Sequence, residues 1–382
     1  MGGDIVNEIK DYIVYPEDLK IVVPPIMPKR QDNFYTGVIY NISRFILKFI
    51  VRGGSKLEKI NVDGLNPPFI VLCNHNQFVD FFVSFKALHP YKFNNIATLD
   101  GFVGFEKIMT EIGCACHRKF TTDISLIRAC HKILHEYGDI LCMYPEARYS
   151  NVGTTGIIPD VVGKLVKKNK VPVVVILNHG HYLNTPFWDF RQYRKVPFYS
   201  TMKQILTVEQ IENMTVDEIN EVIREELYYD DHAWQKENNI KITEKFRADG
   251  LNKVLYKCPH CLSEGKTVGK GIYLTCEECG KKWELTELGE MQALDGETEF
   301  SHIPDWYEWE RECVRQEILD GTYHFEDDVE VYSLPRTTSV PYLGKAKITH
   351  TIDEGFTLEG FYNDVEEQLR LHNSVIVCIS EG

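Results

Sequence analysis

The chain lacks the sequence features of several large protein classes. No stretch reaches the roughly 18 consecutive apolar residues of a membrane-spanning helix, so an integral membrane protein is not expected. A basic excess is also missing: 42 Lys and Arg stand against 56 Asp and Glu, which argues against nucleic acid as a partner. The N-terminus lacks the apolar segment of a secretory signal. With 43% hydrophobic residues, the composition predicts a globular protein, and the lack of a signal segment leads us to expect it in the cytoplasm.

The eleven cysteines fall into two groups. Seven are scattered, mostly in apolar runs, as buried free thiols are in a reducing compartment. The other four form two C-x-x-C pairs with the spacing of a zinc ribbon; they are Cys258, Cys261, Cys276 and Cys279. Four ligands close the coordination sphere, so the sequence predicts a structural Zn²⁺. Two redox-active C-x-x-C pairs are the alternative.

Charge is unevenly distributed along the chain. Residues 29–59 carry seven basic and two acidic groups, whereas residues 283–331 carry sixteen acidic and two basic ones. Residues 34–52 place apolar side chains on one helical stripe, with Arg44, Lys48 and Arg52 on the other side. This pattern is typical of a surface helix packed on its own domain, and equally of an amphipathic helix at a membrane interface.

Short apolar runs alternate with helical patterns from residue 69 to about 200. The runs at 69–73, 140–144 and 171–177 are rich in β-branched residues and predict buried strands. Helical periodicity predicts a helix over residues 124–137, which Gly138 terminates. The alternation predicts an α/β fold with a mixed central sheet flanked by helices.

The C-terminal part predicts further elements. Thr215 and Glu218 form a capping box that begins a helix, and another helix is expected over residues 305–319. Strands of a small β unit are expected at 329–334, 346–353, 355–361, 368–371 and 375–380. The predicted organisation is an extended arm (1–33), an amphipathic interfacial helix (34–52), an α/β domain (53–250), a zinc ribbon (251–290) and a helix with a small β domain (291–382).

Polar side chains follow two of the predicted strands, at the edge where open α/β sheets bind ligands. Asn74 and His75 come directly after the first strand, and Asp80 lies five residues beyond His75, a spacing that suits a base and the carboxylate that orients it. Glu146 and Arg148 follow the second strand and suit polar substrate groups. A chance His–Asp spacing and a surface salt bridge are the alternatives.

Two other segments carry candidate ligands. Residues 117–119 are His-Arg-Lys after a run of small residues, which suits a bound phosphate or, equally, a solvated basic turn; Arg118 is the candidate phosphate ligand. His179 and His181 flank a glycine, but no carboxylate or cysteine cluster accompanies them in the sequence. We therefore expect these histidines to line the pocket or to cap the strand at 171–177.

In their order, the motifs NHx4D, G-x4-R, P-E and V-P-V resemble those of the glycerophospholipid acyltransferase family, of the lysophosphatidic acid acyltransferase type. The resemblance covers about residues 60–200. It implies that His75 is the general base, oriented by Asp80, and that Arg118 binds the acceptor's phosphate. Asn74, Glu146 and Arg148 become candidate substrate-binding residues. The third motif departs from the family's P-E-G-T-R-S: Ala147 replaces Gly, Arg148 replaces Thr and Tyr149 replaces Arg.

The resemblance implies an O-acyltransferase of phospholipid biosynthesis. The enzyme would move a fatty acyl group from acyl-CoA or acyl-ACP to a hydroxyl of a lyso-glycerophospholipid such as 1-acylglycerol-3-phosphate. No Ser or Cys nucleophile with its own base is evident, which favours direct transfer. We expect a cytoplasmic protein, peripheral on the inner face of the membrane, with acyl carrier protein as a possible partner. The alternative is a catalytically inactive acyltransferase-like scaffold whose zinc ribbon and β unit bind a protein.

Overall fold

The computed structural model describes residues 28–31, 37–38, 41–42, 45, 55–118, 124–333, 342–353, 355–362, 365–369 and 375–378. These residues divide between two compact units, one with residues 32–93 and 133–311 and the other with the remainder. The predicted arm and interfacial helix lie largely outside the described residues. Positions 37, 38, 41, 42 and 45 are helical, and the side chains of Ile42 and Phe45 are exposed.

The described elements are as follows. The strands are β1 (Ser55–Ile60), β2 (Ile70–Cys73), β3 (Phe93–Thr98), β4 (Ala115–His117), β5 (Ile140–Met143), β6 (Val173–His179), β7 (Phe198–Leu206), β8 (Thr267–Lys270), β9 (Tyr273–Cys276), β10 (Lys282–Leu285), β11 (Met291–Ala293), β12 (His324–Ser333), β13 (Tyr342–Thr351), β14 (Gly355–Tyr362), β15 (Val365–Leu369) and β16 (Val375–Cys378). The α-helices are α1 (Val79–Ala87), α2 (Glu106–Glu111), α3 (Ile124–His131), α4 (Val161–Asn169), α5 (His181–Asn184), α6 (Val208–Asn213), α7 (Val216–Glu226), α8 (Asp231–Glu237) and α9 (Ile303–Leu319).

In the unit that contains residues 32–93 and 133–311, strands lie in the order β1-β7-β6-β2-β5. β2 is parallel to both β5 and β6, whereas β7 is antiparallel to β6 and parallel to β1. The sheet is therefore mixed, as predicted. All residues of β2 and β5 are buried, because their continuous apolar sequence covers both faces of the sheet. The carboxyl ends of β2, β5 and β6 meet at one edge, where the candidate site lies.

The three helices predicted after residue 120 are confirmed with small changes of bounds. Thr215 caps α7, and the Thr215 hydroxyl and the Glu218 carboxylate both bond backbone N–H groups in a capping box. The helix predicted over residues 124–137 consists of α3 followed by a π-helical turn, Lys132–Tyr137. The helix predicted over 305–319 begins slightly earlier, as α9. No helix among the described residues is both long and apolar enough to cross a bilayer.

The cysteine-rich segment forms a small antiparallel sheet in the order β11-β10-β9-β8. Its buried side chains, including Trp283, belong to one hydrophobic cluster with Tyr182 and Trp188 of the α/β part and Trp306 of α9. The Trp283 and Trp306 ring centroids are 5.0 Å apart. The core beneath the four cysteines is thus continuous with the core of the α/β part.

The other unit contains β3 and β4, which pair in parallel, and a C-terminal antiparallel sheet in the order β15-β14-β13-β12-β16. Five strands are therefore present where the sequence predicts them, with changed bounds, whereas the predicted domain over 291–382 stays a prediction. Buried apolar side chains alternate with outward-facing ones along its strands, as period-2 patterning requires. The buried set comprises Val329, Val331, Ala346, Ile348 and Leu358.

Candidate active site

Asn74 joins the ends of two parallel strands at the candidate site. Its side-chain oxygen accepts the Asn178 N–H at 2.8 Å, and its Nδ2 donates to the Asn178 carbonyl at 2.9 Å. The side chain is fully buried, so these bonds replace water that the amide would otherwise bind. These two hydrogen bonds fix the position at which the chain leaves β2. They thereby fix the position of the next residue, His75. A substrate contact by Asn74 stays a prediction.

His75 and Asp80 are brought together as the sequence predicts. His75 Nδ1 lies 3.1 Å from Asp80 Oδ2, and the same oxygen accepts the N–H groups of Asn76 at 2.6 Å and Gln77 at 2.9 Å. Asp80 is fully buried, whereas the His75 side chain is 20% exposed. The loop before α1 therefore wraps its backbone donors around the carboxylate and leaves the histidine in reach of solvent.

Asp80 is held ionised. Burial would raise the pKa of this carboxyl, but hydrogen bonds from His181 and His75 outweigh burial and lower the pKa to about 2. An ionised carboxylate only accepts hydrogen bonds, so His75 donates its Nδ1–H to Asp80, and in the neutral ring this tautomer leaves Nε2 as the acceptor. The second ring nitrogen of His75 is thus available to accept a proton from a bound hydroxyl.

The third motif surrounds His75 with aromatic rings. The imidazole stacks on Tyr144, with ring centroids 4.1 Å apart, and the Tyr149 ring lies 4.4 Å away. The N–H of Ser150 donates to the His75 carbonyl at 2.8 Å. Tyr149, at the position where the family pattern has Arg, therefore packs on the imidazole. Arg148 is exposed, and its predicted substrate role stays a prediction.

The Glu146 side chain binds the backbone on both sides of the candidate site. One carboxylate oxygen accepts the His75 N–H at 3.3 Å and the other the Gly156 N–H at 2.6 Å. A Cβ at Gly156 would lie only 2.8 Å from that oxygen, so a larger residue there would displace the carboxylate. Burial raises the pKa of Glu146 to about 7, despite these bonds and the nearby Arg148. Its described partners are backbone groups, and a substrate contact stays a prediction.

The two histidines of the H-G-H segment each pair with a buried aspartate. His181 Nδ1 lies 2.6 Å from Asp80 Oδ1, and His179 Nδ1 lies 3.2 Å from Asp231 Oδ1. His179 also stacks on Trp234. The paired residues are 101 and 52 positions apart in the chain, so no local spacing signals either pair. Sequence reasoning identified these histidines but missed their partners.

Arg118 lies in the other compact unit, directly after β4, and is half-buried. Its role as a phosphate ligand therefore stays a prediction.

The four predicted metal ligands are close enough to share one ion. The ligand atoms of Cys258, Cys261, Cys276 and Cys279 all lie within 4.8 Å of one another. The Cys258–Cys279 and Cys261–Cys276 sulfur pairs are 3.8 and 3.7 Å apart. A tetrahedral zinc with Zn–S bonds of about 2.3 Å requires sulfurs about 3.8 Å apart. The donor set therefore fits Zn²⁺ and leaves no position for a substrate.

The two cysteine turns have the same backbone bonding. Leu262 and Gly280 each follow the second cysteine of a pair, and each donates its N–H to the carbonyl of the first cysteine, at 2.9 Å. Both residues have positive φ. Hydrogen bonds from Ser263 lower the pKa of Cys261 to about 6, whereas burial raises the pKa of Cys258 and of Cys279.

Comparison with solved structures finds a likeness in fold. The chain resembles a solved structure titled as the 1-acyl-sn-glycerophosphate (LPA) acyltransferase, PlsC, from Thermotoga maritima, with a TM-score of 0.36 and 16% identity over 51% of this chain and 87% of that one. A likeness this distant carries no argument about function. No model of a protein family matches the chain, and no curated protein matches it.

Proposed function

We propose that the chain is a thioester-dependent O-acyltransferase that acts on a lyso-glycerophospholipid. One observation carries the proposal: a partly exposed His75, oriented by a fully buried and ionised Asp80, at the carboxyl ends of parallel strands. This arrangement is that of a general base with its orienting carboxylate. The motif resemblance supplies the reaction class, and the geometry supports a working base at the position that the resemblance assigns.

The proposed reaction has one base and no covalent enzyme intermediate. His75 Nε2 accepts the proton of the acceptor's hydroxyl while that oxygen attacks the thioester carbonyl carbon. The tetrahedral intermediate collapses, the carbon–sulfur bond breaks, and the protonated His75 returns the proton to the departing thiolate. The products are an ester and a free thiol, and His75 ends in its starting form. Asp80 stays ionised throughout and stabilises the imidazolium.

The acceptor's phosphate needs cationic partners that Tyr149 does not provide. Arg118 and Arg148 are the candidates. Arg118→Ala is expected to raise the KM for lysophosphatidic acid at least tenfold, with the KM for the thioester within about twofold, since charge-assisted bonds contribute roughly 1.5–3 kcal/mol. Arg148→Ala tests the altered third motif in the same assay. An unchanged acceptor KM in both variants contradicts a phosphate site at these residues.

The remaining parts have supporting roles in this proposal. Zn²⁺ held by the four cysteines fixes the fold of the ribbon and takes no part in transfer. Peripheral binding to the inner face of the membrane follows from the lipid acceptor and from the basic segment 29–59. Acyl-CoA and acyl carrier protein are the two candidate thioester donors.

Release of free thiol from acyl-CoA and from acyl-ACP, with and without lysophosphatidic acid, tests the proposal. We expect release that depends on the acceptor, with one diacyl product for each thiol. Asp80→Asn is expected to lower the rate severely, because it favours the wrong tautomer of His75. Release that is independent of acceptor would indicate a thioesterase. No release from either donor with the folded wild-type protein would favour the inactive scaffold.

A further inference from the structure

We propose that His181 is a positioning residue for His75, acting through the second oxygen of Asp80. In this arrangement one buried carboxylate is shared by two imidazoles, only one of which reaches solvent. The inference deepens the proposed acyl transfer and rests on it for the reaction. The motif resemblance assigns only His75 and Asp80, and the pairing of His181 comes from the structure alone.

Hydrogen bonds and ring packing hold His181 in place. Its Nδ1 lies 2.6 Å from Asp80 Oδ1, and its carbonyl accepts Gln77 Nε2 at 2.6 Å. The imidazole packs on the Phe198 ring, with centroids 4.0 Å apart. Gly180, which precedes it, donates its N–H to Asp231 at 3.0 Å. The side chains of His181 and Asp80 are both fully buried.

The direction of the hydrogen bond follows from the protonation states. Ionised Asp80 accepts, so His181 donates its Nδ1–H. His181 Nε2 is buried and has no hydrogen-bond partner among the described residues. A proton on that nitrogen would be a buried donor without an acceptor among the described residues, which is costly. The neutral tautomer with the proton on Nδ1 is therefore the form that fits this site.

A neutral donor on Oδ1 changes what Asp80 does to His75. The hydrogen bond draws negative charge toward Oδ1, so Oδ2 stabilises the imidazolium form of His75 less than an unbonded carboxylate would. Loss of the bond from His181 should therefore strengthen the interaction of Asp80 with the protonated form of His75. The same bond prevents rotation of the carboxylate, which holds Oδ2 in line with His75 Nδ1.

Other titratable groups around Asp80 must be separated from this effect. They are Cys73 at the end of β2, Tyr144 and Glu146 after β5, and Tyr229 before α8. Burial raises the pKa of Cys73, Tyr144 and Tyr229, so these three stay neutral near pH 7. Glu146 titrates in the same range as a histidine. A pH–rate profile alone therefore does not separate Glu146 from His75.

The test compares His181→Asn with His181→Leu. The amide of Asn replaces the Nδ1–H donor, whereas Leu fills a similar volume without a donor. Ring-labelled histidine is followed by NMR from pH 5 to 9, and His75→Ala assigns the His75 signal. In His181→Leu we expect the protonation midpoint of His75 to rise by about one pH unit, as for loss of one bond to a charged group. In His181→Asn we expect the protonation midpoint of His75 to lie within about 0.3 pH units of the wild-type value.

Kinetics provide the second readout. His181→Leu is expected to lower kcat about tenfold or more at pH 7, with both KM values within about twofold and the acid limb moved to higher pH. His181→Asn should restore most of kcat. A purely structural role would instead make both variants unstable and move kcat and KM together.

The proposal is overturned if folded His181→Leu titrates His75 as wild type does. If His181→Leu does not fold, the wild-type protein decides: nitrogen shifts that place the His181 proton on Nε2 contradict the proposal, and a proton on Nδ1 across the range supports it. The NMR readouts need no turnover. Absence of acyl transfer in wild type would thus overturn the proposed reaction separately from the pairing of His181 with Asp80.

Discussion

Ala147 occupies a backbone conformation that favours glycine. Its φ is +53°, in the left-handed region, at the position where the resembling family has glycine. The Cβ of alanine costs about 1–2 kcal/mol in this region, while glycine costs about 0.5–1 kcal/mol more chain entropy on folding. Whether alanine or glycine gives the more stable protein at this position therefore depends on the difference between local strain and chain entropy.

Ala147→Gly is expected to stabilise the protein by about 0.5 kcal/mol, since the relief of strain exceeds the entropy cost. Urea unfolding followed by circular dichroism measures this change. Ala233→Gly, within α8, is the matched control and should destabilise by about 1 kcal/mol. A loss of stability in Ala147→Gly as large as in the control would contradict this reading of the turn.

Glu146 makes stability depend on pH in the neutral range. Its pKa in the folded protein is about 7, above the ordinary 4.5. The folded state thus binds the proton more tightly than the unfolded state. The contribution of this group to stability is fully present below about pH 4.5 and is lost as the pH rises through 7.

Glu146→Gln removes this ionisation. The variant is expected to be less stable at pH 5, because the Gln amide N–H would face a backbone N–H, whereas both oxygens of the neutral carboxyl group can accept a hydrogen bond. Between pH 5 and 8 its unfolding free energy should fall less steeply than that of wild type. Urea unfolding at four pH values measures the two slopes. Equal slopes would show that Glu146 is already ionised at pH 5.

At the scale of single elements, the two C-x-x-C turns of the ribbon have the backbone geometry of a zinc site. Leu262 and Gly280 adopt φ values of +65° and +76° at equivalent positions, so the two turns are near-copies although only one has glycine. We expect one Zn²⁺ per chain by plasma emission analysis of protein purified without chelator. Cys276→Ser should lose the metal. Cys313→Ser, outside the cluster, is the control and should retain the metal. Zinc retained in Cys276→Ser would contradict the assignment of Cys276 as a zinc ligand.

Elements with one-sided or continuous apolar patterns could be predicted from the sequence, and the others could not. β2, β5 and β6 are continuous apolar runs and were predictable. β1 has the sequence SKLEKI, a mainly polar strand whose pairing with β7 depends on residues about 140 positions away. β7 alternates buried and half-buried residues, a weaker signal than a continuous run. Long-range pairing therefore determines the strands that were missed.

Contacts between residues far apart in the sequence also limited the prediction of the candidate site. His75 and Asp80 are five residues apart, so one loop and one helix start bring them together, and spacing was informative. His181 reaches Asp80 from 101 residues away, through the pairing of β2 with β6. Sequence alone offers the H-G-H segment but no reason to connect it with Asp80.

At the scale of the larger compact unit, the ribbon and the candidate site share a core. Tyr182 lies in the hydrophobic cluster with the ribbon's Trp283, and its hydroxyl donates to the Asn151 carbonyl at 2.7 Å. Asn151 in turn donates to Tyr307 of α9 at 2.7 Å. The loop that follows Glu146 is thus tied to the ribbon's core.

Removal of zinc is therefore expected to loosen more than the ribbon. After chelation, amide hydrogen exchange should accelerate in residues 150–156 as well as in 254–289, because both pack on the same cluster. Hydrogen exchange with mass spectrometry on metal-loaded and chelated protein measures this. Faster exchange confined to residues 254–289 would show that the ribbon folds independently of the candidate site.

Transfer of an isotope-labelled acyl chain would show directly whether His75 acts as the general base of acyl transfer. Purified wild-type protein, His75→Ala and the surface control His324→Ala are mixed with labelled acyl thioester and lysophosphatidic acid, and lipids and intact protein are weighed by mass spectrometry. We predict labelled diacyl lipid from wild type and control, no acylated protein, and a rate lower by roughly 10²–10⁴-fold in His75→Ala. Equal product from His75→Ala, or a labelled acyl group on the protein, would contradict the account.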